Sequence, residues 1–170
     1  MKYILFTLLA IATLALLITL FGMTLPSAHI ASRKVRFRQT PQAIFDAISG
    51  PGEWRTSLER IEPLPEVNGQ KRWKEIDKRG NSITFELVES TRPLRRVTRI
   101  ADDSLPFGGT WTLQIAPAPG GSLVSITEHG EVKNPLFRFL SKFVMGHYQS
   151  IDLYLGDLAK RFDERLILED

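Results

Sequence analysis

Residues 134–162 read NPLFRFLSKFVMGHYQSIDLYLGDLAKRF, and this stretch decides the fold. Asn134 is a good helix N-cap, because its side-chain oxygen can accept from the first free backbone N–H groups. Pro135 fits the first helical position, where no N–H is needed. Beyond them Leu136, Leu140, Phe143, Val144, His147, Ile151, Tyr154, Leu155, Leu158 and Phe162 recur mostly at steps of three and four. That is helical period, and it makes a wide apolar stripe. The spacing predicts one C-terminal helix of about 30 residues, some 45 Å long at 1.5 Å per residue. So broad an apolar face needs a large apolar surface to lie on, and a curved antiparallel sheet supplies one.

The residues upstream supply the sheet. Phe107–Ala116 and Ser122–Val132 flank a Pro/Gly-rich turn at 117–121 and read as a hairpin. Trp111, Leu113 and Ile115 share one face of the first strand, and Val124, Ile126 and Glu128 share one face of the second. Further strands are expected at Leu58–Leu64, Gln70–Asp77, Ser82–Ser90 and Leu94–Ala101. Pro63 and Pro65 mark the first of these as an edge. Thr40-Pro41 opens a short helix carrying Ala43, Ile44, Ala47 and Ile48, which Gly50-Pro51-Gly52 ends. One more helical turn is expected around Trp54. Ser32–Gln39 is a first strand, with Val35 and Phe37 alternating with Lys34, Arg36 and Arg38. The order is strand, two short helices, about six strands, one long helix. That is an α+β domain.

No charged residue lies between Tyr3 and Leu25. As a helix this run reaches about 34 Å, enough to cross a hydrocarbon core of about 30 Å. Tyr3 and Phe21 sit near its ends, where interfacial aromatics are common. The run exceeds the apolar part of a signal peptide, about 7–15 residues, and the small-x-small pattern before a cut is poor. An uncleaved transmembrane anchor over 1–25 is therefore expected, then a linker over 26–31 and a domain over 32–168. The basic residues after the anchor, Arg33, Lys34, Arg36 and Arg38, favour a cytoplasmic domain by the positive-inside rule; they read as a solvated strand face, with a position near anionic headgroups as the alternative.

Composition excludes several functions. The 170 residues include no cysteine, so disulfide and thiolate chemistry are absent. A net charge of +3 is too mild for a nucleic-acid partner. There is no glycine-rich phosphate loop and no Gly-x-Ser-x-Gly elbow. His29, His129 and His147 lack metal-ligand spacing, so neither a metal nor a cofactor is expected. A second basic group, Arg92, Arg95, Arg96 and Arg99, reads as solvated strand faces.

Three segments resemble the START-like, or SRPBCC, superfamily, which includes polyketide cyclase/dehydrase-type and coenzyme Q-binding proteins. They are Pro41-Gln42-Ala43-Ile44-Phe45-Asp46-Ala47-Ile48 with Trp54 soon after, Phe107-Gly108-Gly109-Thr110-Trp111-Thr112, and Gly121 to Val132. Asn134 to Phe139 is similar to a membrane-associated branch of that group. The resemblance covers about residues 32–165. It implies a helix-grip fold: a sheet of about seven antiparallel strands curled around the C-terminal helix. It further implies a cavity for an apolar or amphipathic ligand such as a lipid, sterol, polyketide or quinone.

Candidate lining residues follow from parity and stripe. They are Trp73, Phe85, Trp111, Phe143 and Tyr154, with His147 and Glu128 as inward polar groups. Ordinary core packing explains the same aromatics. An inward Glu128 needs a partner, and Arg138, Arg95 or Arg99 is expected to supply it. Three functions stay open. One is a membrane-tethered binder of a hydrophobic small molecule, with the lipid bilayer as its other partner. The second is a cyclase or dehydratase acting on a polyketide-like substrate. The third is a non-catalytic interaction domain with a filled interior.

Overall fold

The computed structural model describes residues 2–169, so Met1 of the expected anchor lies outside it. Helix α1 spans Lys2–Thr24. Strand β1 (Ala28–Phe37) and helix α2 (Pro41–Ser49) follow, then β2 (Leu58–Val67), β3 (Gln70–Asp77), β4 (Ser82–Thr91), β5 (Arg95–Ile100), β6 (Phe107–Ala118) and β7 (Gly121–Val132). Helix α3 (Pro135–Leu140), a π-helical turn (Ser141–Met145), α4 (Gln149–Arg161) and a two-residue strand β8 (Leu168–Glu169) complete the chain. The strands form one antiparallel sheet in the order β2-β3-β4-β5-β6-β7-β1-β8. Consecutive hairpins build β2 to β7. Strand β1 then closes against β7 along its whole length, from Ala28 opposite Glu131 to Phe37 opposite Ser122.

The core lies under one half of this sheet. Val35, Val124 and Ile126 of β1 and β7, Ile44 of α2, and Ile151, Leu155 and Leu158 of α4 are fully buried together. Thr40 caps α2 by accepting from the Ala43 N–H at 3.2 Å, and Ile44, Phe45 and Ile48 form the buried face behind it. The expected helical turn around Trp54 is a pair of simple turns.

The continuous C-terminal helix expected from the stripe is broken. Asn134 does cap α3, accepting from the N–H groups of Leu136 (2.9 Å) and Phe137 (3.3 Å). The helix then widens into a π-turn and stops at Gly146, whose φ is +76°. Glycine takes that left-handed conformation without a Cβ penalty, and the Gly146 N–H closes the turn onto the Ser141 carbonyl at 2.9 Å. Only α4, 13 residues or about 20 Å, lies on the sheet. The apolar stripe is divided with it. Ile151, Leu155 and Leu158 enter the core, whereas Phe143 is 54% exposed.

The linker is also shorter than expected. β1 begins at Ala28, because His29 and Ile30 already pair with Gly130 and His129 of β7. The Val132 N–H reaches back to the Ser27 carbonyl at 2.7 Å. The end of α1 is packed rather than free. The Phe21 ring lies 6.1 Å from those of Phe139 and Phe143. Gly22 is buried, and a Cβ there would fall 2.0 Å from the Pro135 carbonyl oxygen. The rest of α1 is exposed along nearly its whole length, with a mean hydropathy of 2.7 in its most apolar window.

The basic run of β1 does not gather at the foot of α1. Arg33 turns to α4, where it binds Asp152 at 2.8 Å and stacks 3.8 Å over the Tyr148 ring. Arg38 lies past the opposite end of the strand, where its backbone N–H donates to Glu164.

Candidate functional site

Strands alternate their faces, so the register fixes what lines the concave side. Leu113 of β6 faces the core. Its partners across β5, then β4, then β3, therefore bring Arg96, Thr98, Leu87, Phe85, Trp73 and Glu75 onto the same side. None of these is fully buried, nor are Ile61, Ile83 and Ile100 beside them. Helix α4 is too short to cover this half of the sheet. What remains is a half-buried apolar and aromatic face of the sheet beside the filled core.

Tyr154 of α4 stands at the boundary between the two. Its ring meets Trp54 (5.1 Å) and Trp111 (5.7 Å) edge-on. Burial pushes the Tyr154 phenol above its ordinary pKa against the pull of Arg55 and Arg96, so it is protonated at neutral pH. Arg55 lies 5.2 Å over the same ring and pairs with Glu75 at 2.7 Å. Glu75 also accepts from the Trp73 indole N–H at 3.1 Å. Trp73 and Phe85 stack across β3 and β4 at 5.9 Å.

Arg96 completes the group. It donates to the Ile48 carbonyl, and its guanidinium sits 5.2 Å from the centre of the Trp73 ring. Burial lowers its pKa, yet an arginine in a protein stays charged. Among the described residues no carboxylate lies at ion-pairing distance from it. The other three arginines of the second basic group have carboxylate partners, Arg92 with Asp46 and Arg95 with Glu89 at the surface, and exposed Arg99 with the buried Glu86. The expectation of solvated faces fails for Arg96 alone, which shares inward parity with Thr98.

A second polar chain runs from Trp111 toward the α1 end of the sheet. The Trp111 indole N–H donates to Glu128 at 2.8 Å, and Glu128 meets His29 at 3.2 Å. The His29 ring stacks on His147 at 4.0 Å, and His147 Nδ1 lies 3.3 Å from the Ser141 hydroxyl. Gly130 makes room for this stack, since a Cβ there would fall 2.2 Å from the His29 ring. The partner of Glu128 is thus His29 and not an arginine. Arg138, one of the expected partners, donates to the Val132 and Lys133 carbonyls instead.

Burial, then the neighbouring His29 and Lys142, hold His147 below the ordinary imidazole pKa, with Glu128 opposing them. The folded state therefore resists protonation at His147, and the unfolded chain accepts the proton first. Stability contributed this way is full above about pH 6.5 and falls as the pH drops below it. His147→Gln should flatten this loss. Urea midpoints at pH 7.5 and 5.5 test it, and equal pH slopes in both proteins would remove His147 as the cause.

The structure places Trp73, Phe85, Trp111 and Tyr154 on the concave side, as the ring pairs Trp73–Phe85 and Trp111–Tyr154. It links Glu128 and His147 to that side through Trp111 and His29. Phe143 is set apart, against α1. Sequence reasoning missed Arg55, Glu75 and Arg96. Strand parity with Trp73 and Thr98 was a usable signal for the last two, but Arg55 comes from a loop and carries none. Two recesses adjoin these groups. One of about 450 Å³ opens between α2, Trp54 and Arg161. The other, about 170 Å³, is lined by His29, His147, Arg138 and Lys142 among others.

A curved antiparallel sheet gripping a C-terminal helix defines the helix-grip class. Residues 28–162 match the model of the polyketide cyclase / dehydrase and lipid transport family, and the chain belongs to that family. Solved structures agree on the fold. A Mesorhizobium loti protein superposes with a TM-score of 0.61 at 13% identity, covering 79% of this chain and 97% of its own. Norcoclaurine synthase from Thalictrum flavum gives 0.60 at 10% identity, over 81% and 88%. A Thermus thermophilus protein gives 0.59 at 19%, over 79% and 95%. No curated protein matches the sequence.

Proposed function

We propose that this domain binds a hydrophobic small molecule with an anionic or strongly polar end, against the concave face of β3–β6, while α1 anchors it in a membrane. The observation that carries the reading is Arg96. Arg96 is half-buried, and among the described residues no carboxylate reaches ion-pairing distance of it, Glu75 acting only from further off; a ligand anion would complete it. Trp73, Phe85, Trp111 and Tyr154 would contact the apolar body, with Glu128 and His147 nearer the anchor end. Lipid, isoprenoid and polyketide-like acids all have this chemistry. Binding is favoured over cyclase or dehydratase chemistry because the inward carboxylates are already occupied, Glu75 by Arg55 and Trp73, and Glu128 by His29 and Trp111. A cytoplasmic side for the domain, from the positive-inside rule, remains part of this proposal.

Parinarate, a fluorescent fatty acid anion, tests it on the full-length protein held in amphipol. Energy transfer from the tryptophans of that face should rise saturably with parinarate. Arg96→Met should weaken binding about tenfold, the equivalent of about 1.4 kcal/mol. Transfer that never saturates, or the same affinity in Arg96→Met, would overturn the reading.

A further inference from the structure

The anchor reading fixes a depth along α1, and α3 is bound to that depth. At 23 residues α1 is about 34 Å long, so its last turn reaches the edge of a hydrocarbon core of about 30 Å. Phe21 belongs to that last turn, and its ring contacts both Phe139 and Phe143. Gly22 against Pro135 fixes the same level from the backbone side. The segment 135–145 therefore sits where acyl chains give way to headgroups. Its surface suits that place. Phe137, Phe143 and Val144 are 41%, 54% and 70% exposed, a poor arrangement in water.

The charges agree. No acidic residue occurs from Lys133 to Gln149 or from Lys2 to Gln42, whereas Lys133, Arg138 and Lys142 cluster at this end. Arg138 and Lys142 line the recess of about 170 Å³ together with His29, Ser141 and His147. Its walls combine the foot of α1, the start of β1 and the π-turn. The recess thus opens beside the apolar patch, at headgroup level, and it offers cations and a hydroxyl.

We propose that α3 and the π-turn form an interfacial membrane element, with Phe143 and Val144 inserted among acyl chains and an anionic phospholipid headgroup held in the recess by Arg138 and Lys142. This rests on α1 spanning the bilayer. It is independent of the ligand on the concave face. Cationic side chains at such a surface reach outward to lipid phosphates while their stems stay in the apolar layer. The partner is the bilayer expected from sequence, but the cations that face it differ. Arg33 is paired with Asp152 on α4, Arg38 lies past the far end of β1, and the cations nearest the foot of α1 come from the C-terminal segment.

The chain lacks cysteine, so single cysteines can be labelled cleanly. Full-length Val144→Cys, Leu14→Cys and Pro119→Cys, each carrying a bimane, would be placed in lipid nanodiscs containing lipid-borne quenchers. Pro119 lies in the β6–β7 turn, at the opposite end of the sheet from Ala28. Labels at 14 and 144 should be quenched severalfold more than the label at 119. Quenching at 144 should deepen when phosphatidylglycerol is added to phosphatidylcholine discs, and Lys142→Gln should abolish that increment. A label at 144 as accessible to aqueous iodide as the one at 119, with 14 still quenched, overturns the proposal and leaves the anchor standing. Equal quenching at 144 in both lipid mixtures overturns the headgroup site. An unquenched label at 14 overturns the anchor itself, while the parinarate result stands or falls separately.

Discussion

Asp157→Ala should lower the stability of the domain by about 3 kcal/mol, from the loss of hydrogen bonds to a buried charge. Asp157 lies on α4 and is 2% exposed. Its carboxylate accepts from the Thr56 N–H at 2.7 Å and from the Thr56 hydroxyl at 2.8 Å. Lys160 adds only a distant ion pair at 3.7 Å. This one side chain ties the loop carrying Trp54 and Arg55 to the helix carrying Tyr154. Alanine removes both bonds and leaves the Thr56 N–H without its acceptor. For a domain of about 140 residues the melting temperature should fall by about 10 °C. Asparagine keeps an acceptor for the N–H and should recover about half of the loss. Thermal melts of the three proteins decide it, and an alanine variant within about 2 °C of wild type would mean the loop is held by something else.

Leu155→Ala should cost a similar amount, about 3 kcal/mol, by a different physical route. Leu155 is fully buried among α2, α4, β1 and β7. Truncation removes apolar area and leaves a void that close-packed neighbours fill only in part. Leu155→Met, which conserves volume, should lose less than about 1.5 kcal/mol. Because Leu155 follows Tyr154, the alanine variant should also loosen the edge-on contacts with Trp54 and Trp111. Urea unfolding followed by tryptophan fluorescence reads both effects. A loss for alanine as small as for methionine would mean that α4 is not seated on the sheet as described.

The sheet half of the fold was largely legible. Period-two alternation placed Trp111, Leu113 and Ile115 on one face, and the register confirms that face as inward. The caps Thr40 and Asn134 did what their residue types allow. The long helix failed because a stripe reports which residues are apolar, not what they face. Gly146 was the available signal, and one glycine inside an apolar repeat is easily passed over. β1 starts four residues before the alternation of Val35 and Phe37 suggests, so that His29 and Ala31 are strand residues. They fit there because Gly130 leaves space opposite the His29 ring. The shared face of Phe85 and Trp111 with the apolar residues beside them was legible from period-two alternation. Its charged part was not, since Arg55 meets Glu75 only through tertiary contact, and Asp157 looks in sequence like any surface residue of α4.

The interruption at Gly146 divides one apolar stripe between two kinds of tolerance. In α4, Ile151, Leu155 and Leu158 each fill a fixed volume, so shape restricts what can replace them. Before the break, Phe137 and Val144 are 41% and 70% exposed and held by no such mould. There a Leu, Ile or Trp would serve as well as a Phe, whereas a polar residue would not. Sequence drift in relatives of this chain should therefore change side-chain size freely before the glycine and conserve it after.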